Sequence, residues 1–425
     1  MLETIKNAWK VKELRNKILF TIFIIAIFRI GSVIPVPYVD VAALKAAAES
    51  GTTNEFFSYL SILTGGGLEY GAIFAMSITP YINASIIIQL LCVAIPFLER
   101  LSKEGEEGQK KLATYTRYTT VLLALIQGIA YFFYLKASNY LNVTKGVWFA
   151  AIVIVLSFAA GSAVVMWLGE QIDVKGIGNG ISILLFAGIL SRGPQAFQAL
   201  LYYWTELKQY FSVIAIVVAF LLIIAFIVWM THAERRIPVQ YAKRVVGNKM
   251  YGGQNTHIPI KVNMSGVMPV IFASSILMLP TMILSFMKDT TTSVAKFMAL
   301  FSTQGVFYAV IYFLMIIGFA YFYATIQFNP VEMANNLRKN GGAIPGIRPG
   351  KSTSDFISKI LSRITLMGAL FLSVIAILPI IIGNVGQINI SLGGTSVLIM
   401  VGVALDTVNN LESQMMMRHY KGFLD

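Results

Sequence analysis

Few side chains in this sequence have the type and spacing that chemistry needs. The three histidines, His232, His257 and His419, never stand four residues apart and fall in no metal-ligand pattern. Cys92 is the one cysteine, which excludes an intramolecular disulfide. The run Gly346-Ile347-Arg348-Pro349-Gly350-Lys351-Ser352 approaches a phosphate-binding loop, but three residues instead of four separate its glycines. Pro349 also removes a backbone N–H that such a loop uses to cradle phosphate, and no apolar strand precedes it. Gly176-Ile177-Gly178-Asn179-Gly180 leads into an apolar stretch instead of joining strand to helix, so it does not read as a dinucleotide site. No enzyme activity, cofactor or metal is expected from these residues.

The elements that carry them are apolar. Ten stretches stand out: Ile18–Pro35, Ala72–Leu98, Tyr118–Leu135, Val147–Leu168, Ile177–Leu190, Phe211–Met230, Val267–Phe286, Val306–Phe328, Ile364–Ile382 and Ser396–Leu405. A helix of about 20 residues crosses a hydrocarbon core of about 30 Å. Hydrophobic residues make up 56% of the chain, charged residues 12%, and the mean hydropathy is +0.72, values far from those of soluble proteins. With a cytoplasmic N-terminus, inner segments carry 25 of the 33 Lys and Arg residues, outer segments share 7, and Arg29 lies inside a span. Basic residues near span ends are retained in the cytoplasm, so both termini are expected inside. The net charge of +13 then reflects topology and attraction to anionic lipid and acidic partners, not nucleic-acid binding as such. Met1–Lys17 is polar and basic, and no small-residue cleavage site follows it, so Ile18 onward is expected to stay as an anchor.

Three spans are short or interrupted. Ile177–Leu190 opens on the glycine-rich run, Ser396–Leu405 soon meets Asp406, Asn409 and Asn410, and Ala72–Leu98 contains Pro80, Asn83, Ser85 and Gln89. Such spans are tolerated where they are buried in protein or line an aqueous path. A split after the fifth span leaves each half with a marginal last span and a proline-bearing second span, the pattern of an inverted repeat. The expected fold is an all-α polytopic membrane protein with ten transmembrane helices in two inverted five-helix halves around a central pore. Its parts would be a cytoplasmic N-terminus (1–17), a first half (18–190), an outer connection (191–210), a second half (211–413) with cytoplasmic loops 232–261 and 329–363, and a cytoplasmic tail (414–425).

In the acidic first outer loop, Phe56–Leu63 is apolar but too short to span, and Thr64-Gly65-Gly66-Gly67 follows it. It reads either as a re-entrant helix on a glycine hinge or as an amphipathic segment lying on the surface. Arg29 near the outer end of its span either snorkels to the headgroups or pairs. Glu170 and Asp406 fall at inner helix ends and nothing acidic sits at mid-depth. Ion-coupled transporters normally need intramembrane charge. A secondary transporter of a small solute is therefore the second choice, behind a pore with an apolar constriction.

Longer blocks carry more information. Phe28-Arg29-Ile30-Gly31-Ser32 with Ile34-Pro35-Val36-Pro37, Thr79–Leu90, Lys103-Glu104-Gly105-Glu106, Trp167–Gln171, Gly176–Ser182, Arg235-Arg236-Ile237, Tyr241–Arg244, His257–Gly266, Asn329-Pro330, Pro345–Gly350 and Gly393–Ser396 occur in order along nearly the whole chain. Together they resemble the SecY/Sec61-alpha family, central subunits of protein-conducting channels. The resemblance implies that unfolded polypeptides cross through the pore and that apolar segments leave sideways into lipid. It implies a pore ring of Ile78, Ile82, Ile181, Leu185, Ile271 and Ile399, with Leu185 a volume-conserving replacement for an expected isoleucine. It implies a plug over 56–70, including Phe56, Phe57, Tyr59, Leu60, Ile62, Leu63, Gly65, Gly66 and Gly67. Gln89 and Asn263 fall at lateral-gate positions. Arg235, Arg236, Lys243, Arg244, Arg348 and Lys351, on Gly/Pro-bracketed inner loops, fall where cytosolic partners dock. The implied partners are SecE and SecG in the membrane, the SecA motor ATPase, the ribosome through its RNA, signal sequences and membrane lipid. The implied location is a bacterial plasma membrane.

Overall fold

Proline and glycine decide where the helices start and bend. The structure, a computed structural model, describes residues 8–49, 61, 64–142, 146–206, 208, 210–241, 244–246, 249–251, 255–264, 266–286, 301, 305–386 and 394–421. Helix α1 is Lys12–Gly31, and the short α2 (Val41–Glu49) starts where the Asp40 carboxylate accepts the Ala42 and Ala43 N–H groups at 3.0 and 3.1 Å. The expected span Ala72–Leu98 is not one straight helix. Residues 72–78 are turns, α3 covers only Thr79–Ala94 with Pro80 in its first turn, and α4 (Pro96–Lys103) leaves at 103°. Pro96 forces the bend, because it lacks an N–H and holds Ile95 extended (φ −111°, ψ 115°).

Next come α5 (Glu106–Ala137), α6 (Val147–Lys175), α7 (Gly180–Leu190), α8 (Gly193–Thr205) and α9 (Tyr210–His232). After four strands follow α10 (Met268–Phe286), α11 (Val306–Gln327), α12 (Pro330–Lys339), α13 (Lys351–Gly386) and α14 (Gly394–Lys421). Among the described residues six helical stretches are long and apolar enough to cross a membrane, or seven if the bent α3–α4 pair is one span. The tenth apolar stretch extends further than expected: Asp406, Asn409 and Asn410 lie inside α14, which runs on to Lys421.

Loop 232–261 is not a loop. Strand β1 (Glu234–Tyr241) pairs antiparallel with β4 (Asn255–Lys261), and the short β2 (Arg244–Val246) and β3 (Lys249–Tyr251) pair between them. Segment 329–363 is likewise ordered into α12, β5 (Gly342–Ala343, on the edge of β1) and the start of α13. Asn329 caps α12 by accepting the Val331 N–H at 3.2 Å. Ile237, Val239 and Ile260 of this sheet bury against Leu337, Ile344 and Ile357, making a separate small core.

The membrane-side core has three main parts. One packs residues 36–158 of the first half (Val36, Leu68, Tyr131, Ile154, Phe158). A second packs the second half (Ile227, Tyr312, Leu372, Leu398). The third draws on both.

Candidate functional site

The third cluster contains all six aliphatic residues singled out in the sequence. Ile78 caps α3 and Ile82 lies in its first turn; Ile181 and Leu185 lie on α7, Ile271 on α10 and Ile399 on α14. Ile78, Leu185 and Ile399 are buried, with Ile82, Ile181 and Ile271 half-buried against them. Phe28 of α1 and Leu168 of α6 back the cluster from the first half. Residues four apart on a helix share a face, so Ile181 and Leu185 form one apolar stripe.

Helix α7 is held in place by a crossing without side chains. A Cβ at Gly180 would stand 2.0 Å from the carbonyl oxygen of Gly169 on α6. The Asp173 carboxylate accepts the Gly180 N–H at 2.7 Å, and Asn179 caps the helix by accepting the Ser182 N–H at 3.0 Å. Gly180→Ala must push α7 off α6 and move Ile181 with it. We expect a loss of about 1–3 kcal/mol, read as a lowered Tm in detergent. Gly193→Ala, where a Cβ meets nothing within 4 Å, should stay within about 0.5 kcal/mol. Equal shifts would mean that the crossing is not constrained. Ser77, directly before Ile78, is strained as well: its φ is +47° and its buried hydroxyl has no partner among the described residues.

Of the residues expected in the plug, Phe56, Phe57, Tyr59, Leu60, Ile62 and Leu63 lie outside the described residues, whereas the segment 64–70, called the stalk here, is described. Gly65 and Gly66 have φ of +65° and +89°, the left-handed region glycine favours. A Cβ at Gly65 would sit 2.5 Å from the Gly188 carbonyl, so the stalk runs against the C-terminal end of α7. Ser191 donates to the Gly65 carbonyl at 3.3 Å and Arg29 Nη1 reaches it at 3.5 Å. Arg29 thus has a partner in the stalk. Tyr131 of α5 donates to the Leu68 carbonyl at 3.1 Å.

The sequence reading placed Glu69 within the expected plug but missed Arg192 and the pairing of the two. Arg192, just past α7, is buried, and its Nη2 donates to the Glu69 carboxylate and to Ser61 Oγ at 2.6 Å. Ser61 Oγ also donates to the same Glu69 oxygen at 2.5 Å. The available signal was an outer-side cation at the end of an apolar stretch, facing an acid in an acidic outer loop. Nothing local links two positions 123 residues apart.

The two positions expected at a lateral gate are not hydrogen-bonded to each other. Gln89 Nε2 donates along its own helix to Ser85 at 3.4 Å, and the buried Asn263 Oδ1 has no partner among the described residues. Of the residues expected to dock partners, Arg235 and Arg236 are exposed on β1, and Arg236 pairs with Glu234 at 2.7 Å. Arg244 opens β2, Lys243 lies outside the described residues, and Lys351 opens α13, exposed. Arg348 is exposed at a turn between Gly346 (φ +78°) and Gly350 (φ +110°), with its carbonyl held by Thr353 Oγ1 at 2.9 Å.

The SecY family model matches residues 72–408. A relative from Thermotoga maritima, protein translocase subunit SecY, is 43% identical over 430 residues, covering 100% of this chain and 98% of its own. The chain belongs to the SecY family. SecY is a translocase channel subunit, not an enzyme. Two solved structures share the fold. One, a study of the SecY plug domain stabilising the closed channel and maintaining a membrane seal, has a TM-score of 0.64 at 18% identity, covering 94% of this chain and 92% of that one. The other, Sec61 in the canine ribosome–channel complex, has a TM-score of 0.59 at 15% identity with the same coverage.

Proposed function

We propose that this chain passes unfolded polypeptides through a central pore and releases apolar segments sideways into lipid. The observation that supports it most is the apolar cluster in which side chains from α3, α7, α10 and α14 meet. A constriction of aliphatic side chains dewets and blocks ions, yet yields to a polypeptide of any sequence. In this reading the ten apolar stretches are ten spans in two inverted halves, both termini are cytoplasmic, and Ile78, Ile82, Ile181, Leu185, Ile271 and Ile399 are the ring. Residues 56–70 are the plug beneath it. Gln89 and Asn263 line the lateral gate; the orphaned Asn263 amide oxygen suits a seam whose polar partner changes as it opens.

The cytoplasmic strands and the Arg348 turn are the docking platform for a motor ATPase or a ribosome. SecE and SecG are the expected membrane subunits, SecA the expected motor, and a bacterial plasma membrane the expected location. The Sec61 neighbour seen with a ribosome supports the ribosomal partner by analogy of fold. The test is reconstitution of the chain with these subunits in vesicles. A signal-bearing precursor should become protease-protected only when the motor and ATP are present. Uptake of a small ion-coupled solute with no protection of precursor would favour the transporter reading instead.

A further inference from the structure

The glycine-rich run Gly176-Ile177-Gly178 belongs to none of the ring, plug, gate or docking turns. In the fold it is the turn between α6 and α7, and the first and last helices of the chain grip it. Ile177 is buried in one cluster with Leu14 of α1 and Leu411 of α14. Lys17 Nζ donates to Gln414 Oε1 at 3.2 Å, which ties α1 to α14. Gly178 has φ +70°, and a Cβ there would lie 3.5 Å from Thr407 Oγ1 of α14.

One hydroxyl joins this turn to α1. Thr21 is buried; its Oγ1 donates to the Lys17 carbonyl at 2.9 Å and accepts the Ile177 N–H at 3.3 Å. A hydroxyl has one proton and two lone pairs, so the first bond leaves a lone pair free for the turn. We propose that Thr21 is a positioning residue that sets the height of Ile181 and Leu185 in the constriction. The proposal rests on the ring reading above, which it deepens by naming what seats one ring helix.

The geometry gives the reason. Helix α7 starts at Gly180, three residues after Ile177, and its α6 side is fixed by the crossing with Gly169 and by the Asp173 carboxylate. A helix held at one crossing can still tilt about it, and a second attachment on another helix removes that freedom. Thr21 supplies the second attachment. A Cβ at Gly176 would stand 2.7 Å from Thr21 Oγ1, so the backbone passes the hydroxyl with no room for a side chain. Ile177 is 3% exposed, so water does not readily replace the oxygen that its N–H uses. Without that oxygen the amide must move to find an acceptor, and α7 moves with it. Each residue of a helix adds about 1.5 Å of rise and about 100° of rotation, so even a one-residue slip takes both ring side chains out of register.

Thr120 of α5 is the contrast. It is buried too, but its hydroxyl donates along its own helix to the Thr116 carbonyl at 2.7 Å. Losing that bond disturbs α5 without releasing the turn before α7.

The experiment uses vesicles carrying the full chain with its membrane subunits. Two quantities are read: hydrogen exchange of the peptide spanning 176–182, and resting ion flux. Thr21→Val keeps the shape and removes the acceptor. It should speed exchange of that peptide and raise resting flux by about threefold to tenfold, the population shift that one net hydrogen bond produces. Thr21→Ser keeps the hydroxyl and should hold both near the parental level. Thr120→Val should change neither. Where Thr21→Val fails to accumulate, Thr21→Cys takes its place, since sulfur is a weak acceptor, and should show the same two changes.

Parental exchange and parental flux in Thr21→Val would overturn the proposal. Flux as high in Thr21→Ser or in Thr120→Val would also overturn it, because the acceptor at position 21 would not be what holds the turn. Faster exchange with parental flux would make Thr21 a fold-stabilising contact only, and the positioning role would fall. Ile82→Ser is run alongside as the test of the ring itself. If it leaks and Thr21→Val does not, the ring stands and the positioning role falls. If neither leaks, the ring falls and the positioning role falls with it.

Discussion

Replacing Ile82, Ile181 and Ile271 together with serine is expected to raise resting ion flux through vesicles by roughly an order of magnitude. These three are the half-buried members of the six, while Ile78, Leu185 and Ile399 are buried. The choice matters, because truncating a fully buried aliphatic costs about 2–5 kcal/mol of stability. Substitution at buried positions would confuse a leaking pore with a failing fold. The half-buried positions retain open surface where a hydroxyl can meet water, so they wet the constriction at a smaller cost to packing. A wetter waist also favours the open state, so these variants should accept weaker signal sequences. Controls on exposed, lipid-side positions of α9, such as Leu221 and Leu222, should change neither property. Equal flux in both sets would make the six side chains ordinary core, and the pore assignment would go with them.

Hydropathy made the helices legible, but not their ends or what lies between them. Each of the ten apolar stretches carries a helix over most of its length, because burial in lipid or protein demands closed backbone hydrogen bonding whatever the side chains do. The bend at Pro96 was visible as a proline, yet apolar residues on both sides concealed it within one run. The strands were concealed for the opposite reason. Glu234-Arg235-Arg236-Ile237-Pro238-Val239 is charged and contains a proline, which argues against a strand. Pro238 is tolerated because β5 pairs only with Gln240 and Tyr241, so β1 has a single neighbour at that point. Pro259 lies on the edge strand β4, where the missing N–H is also harmless. For the candidate site, the six aliphatic positions came from family resemblance. An isoleucine in a span carries no mark that separates core from pore, and their convergence is a property of the packed helices. Arg192 and Glu69 lay outside any local pattern because their meeting depends on how the stalk folds back on α7.

Arg348→Glu is expected to reduce motor-driven translocation by about tenfold or more while leaving the membrane core intact. Its setting makes the side chain a presented charge, not a floppy one. Gly346 and Gly350 give the turn left-handed corners, Pro349 stiffens it, and Thr353 ties the Arg348 carbonyl to the first turn of α13. Beneath it, Ile347 packs on the small core formed by Ile237, Val239, Leu337 and Ile357. The guanidinium therefore reaches a partner with little ordering entropy to lose, which raises the affinity each contact yields. Reversal puts an anion where an acidic or phosphate-lined groove expects a cation, a change worth several kcal/mol at a close charge pair. Arg236 offers an internal comparison, since its guanidinium is already engaged by Glu234 at 2.7 Å. Arg236→Gln should therefore weaken docking less than Arg348→Gln. The measurements are motor affinity for vesicles and precursor protection, with resting ion flux as the check on the core. Parental motor binding and parental protection in Arg348→Glu would leave the turn as a topology signal alone. Loss of both with unchanged flux would fix the docking point on this turn and separate it from the pore.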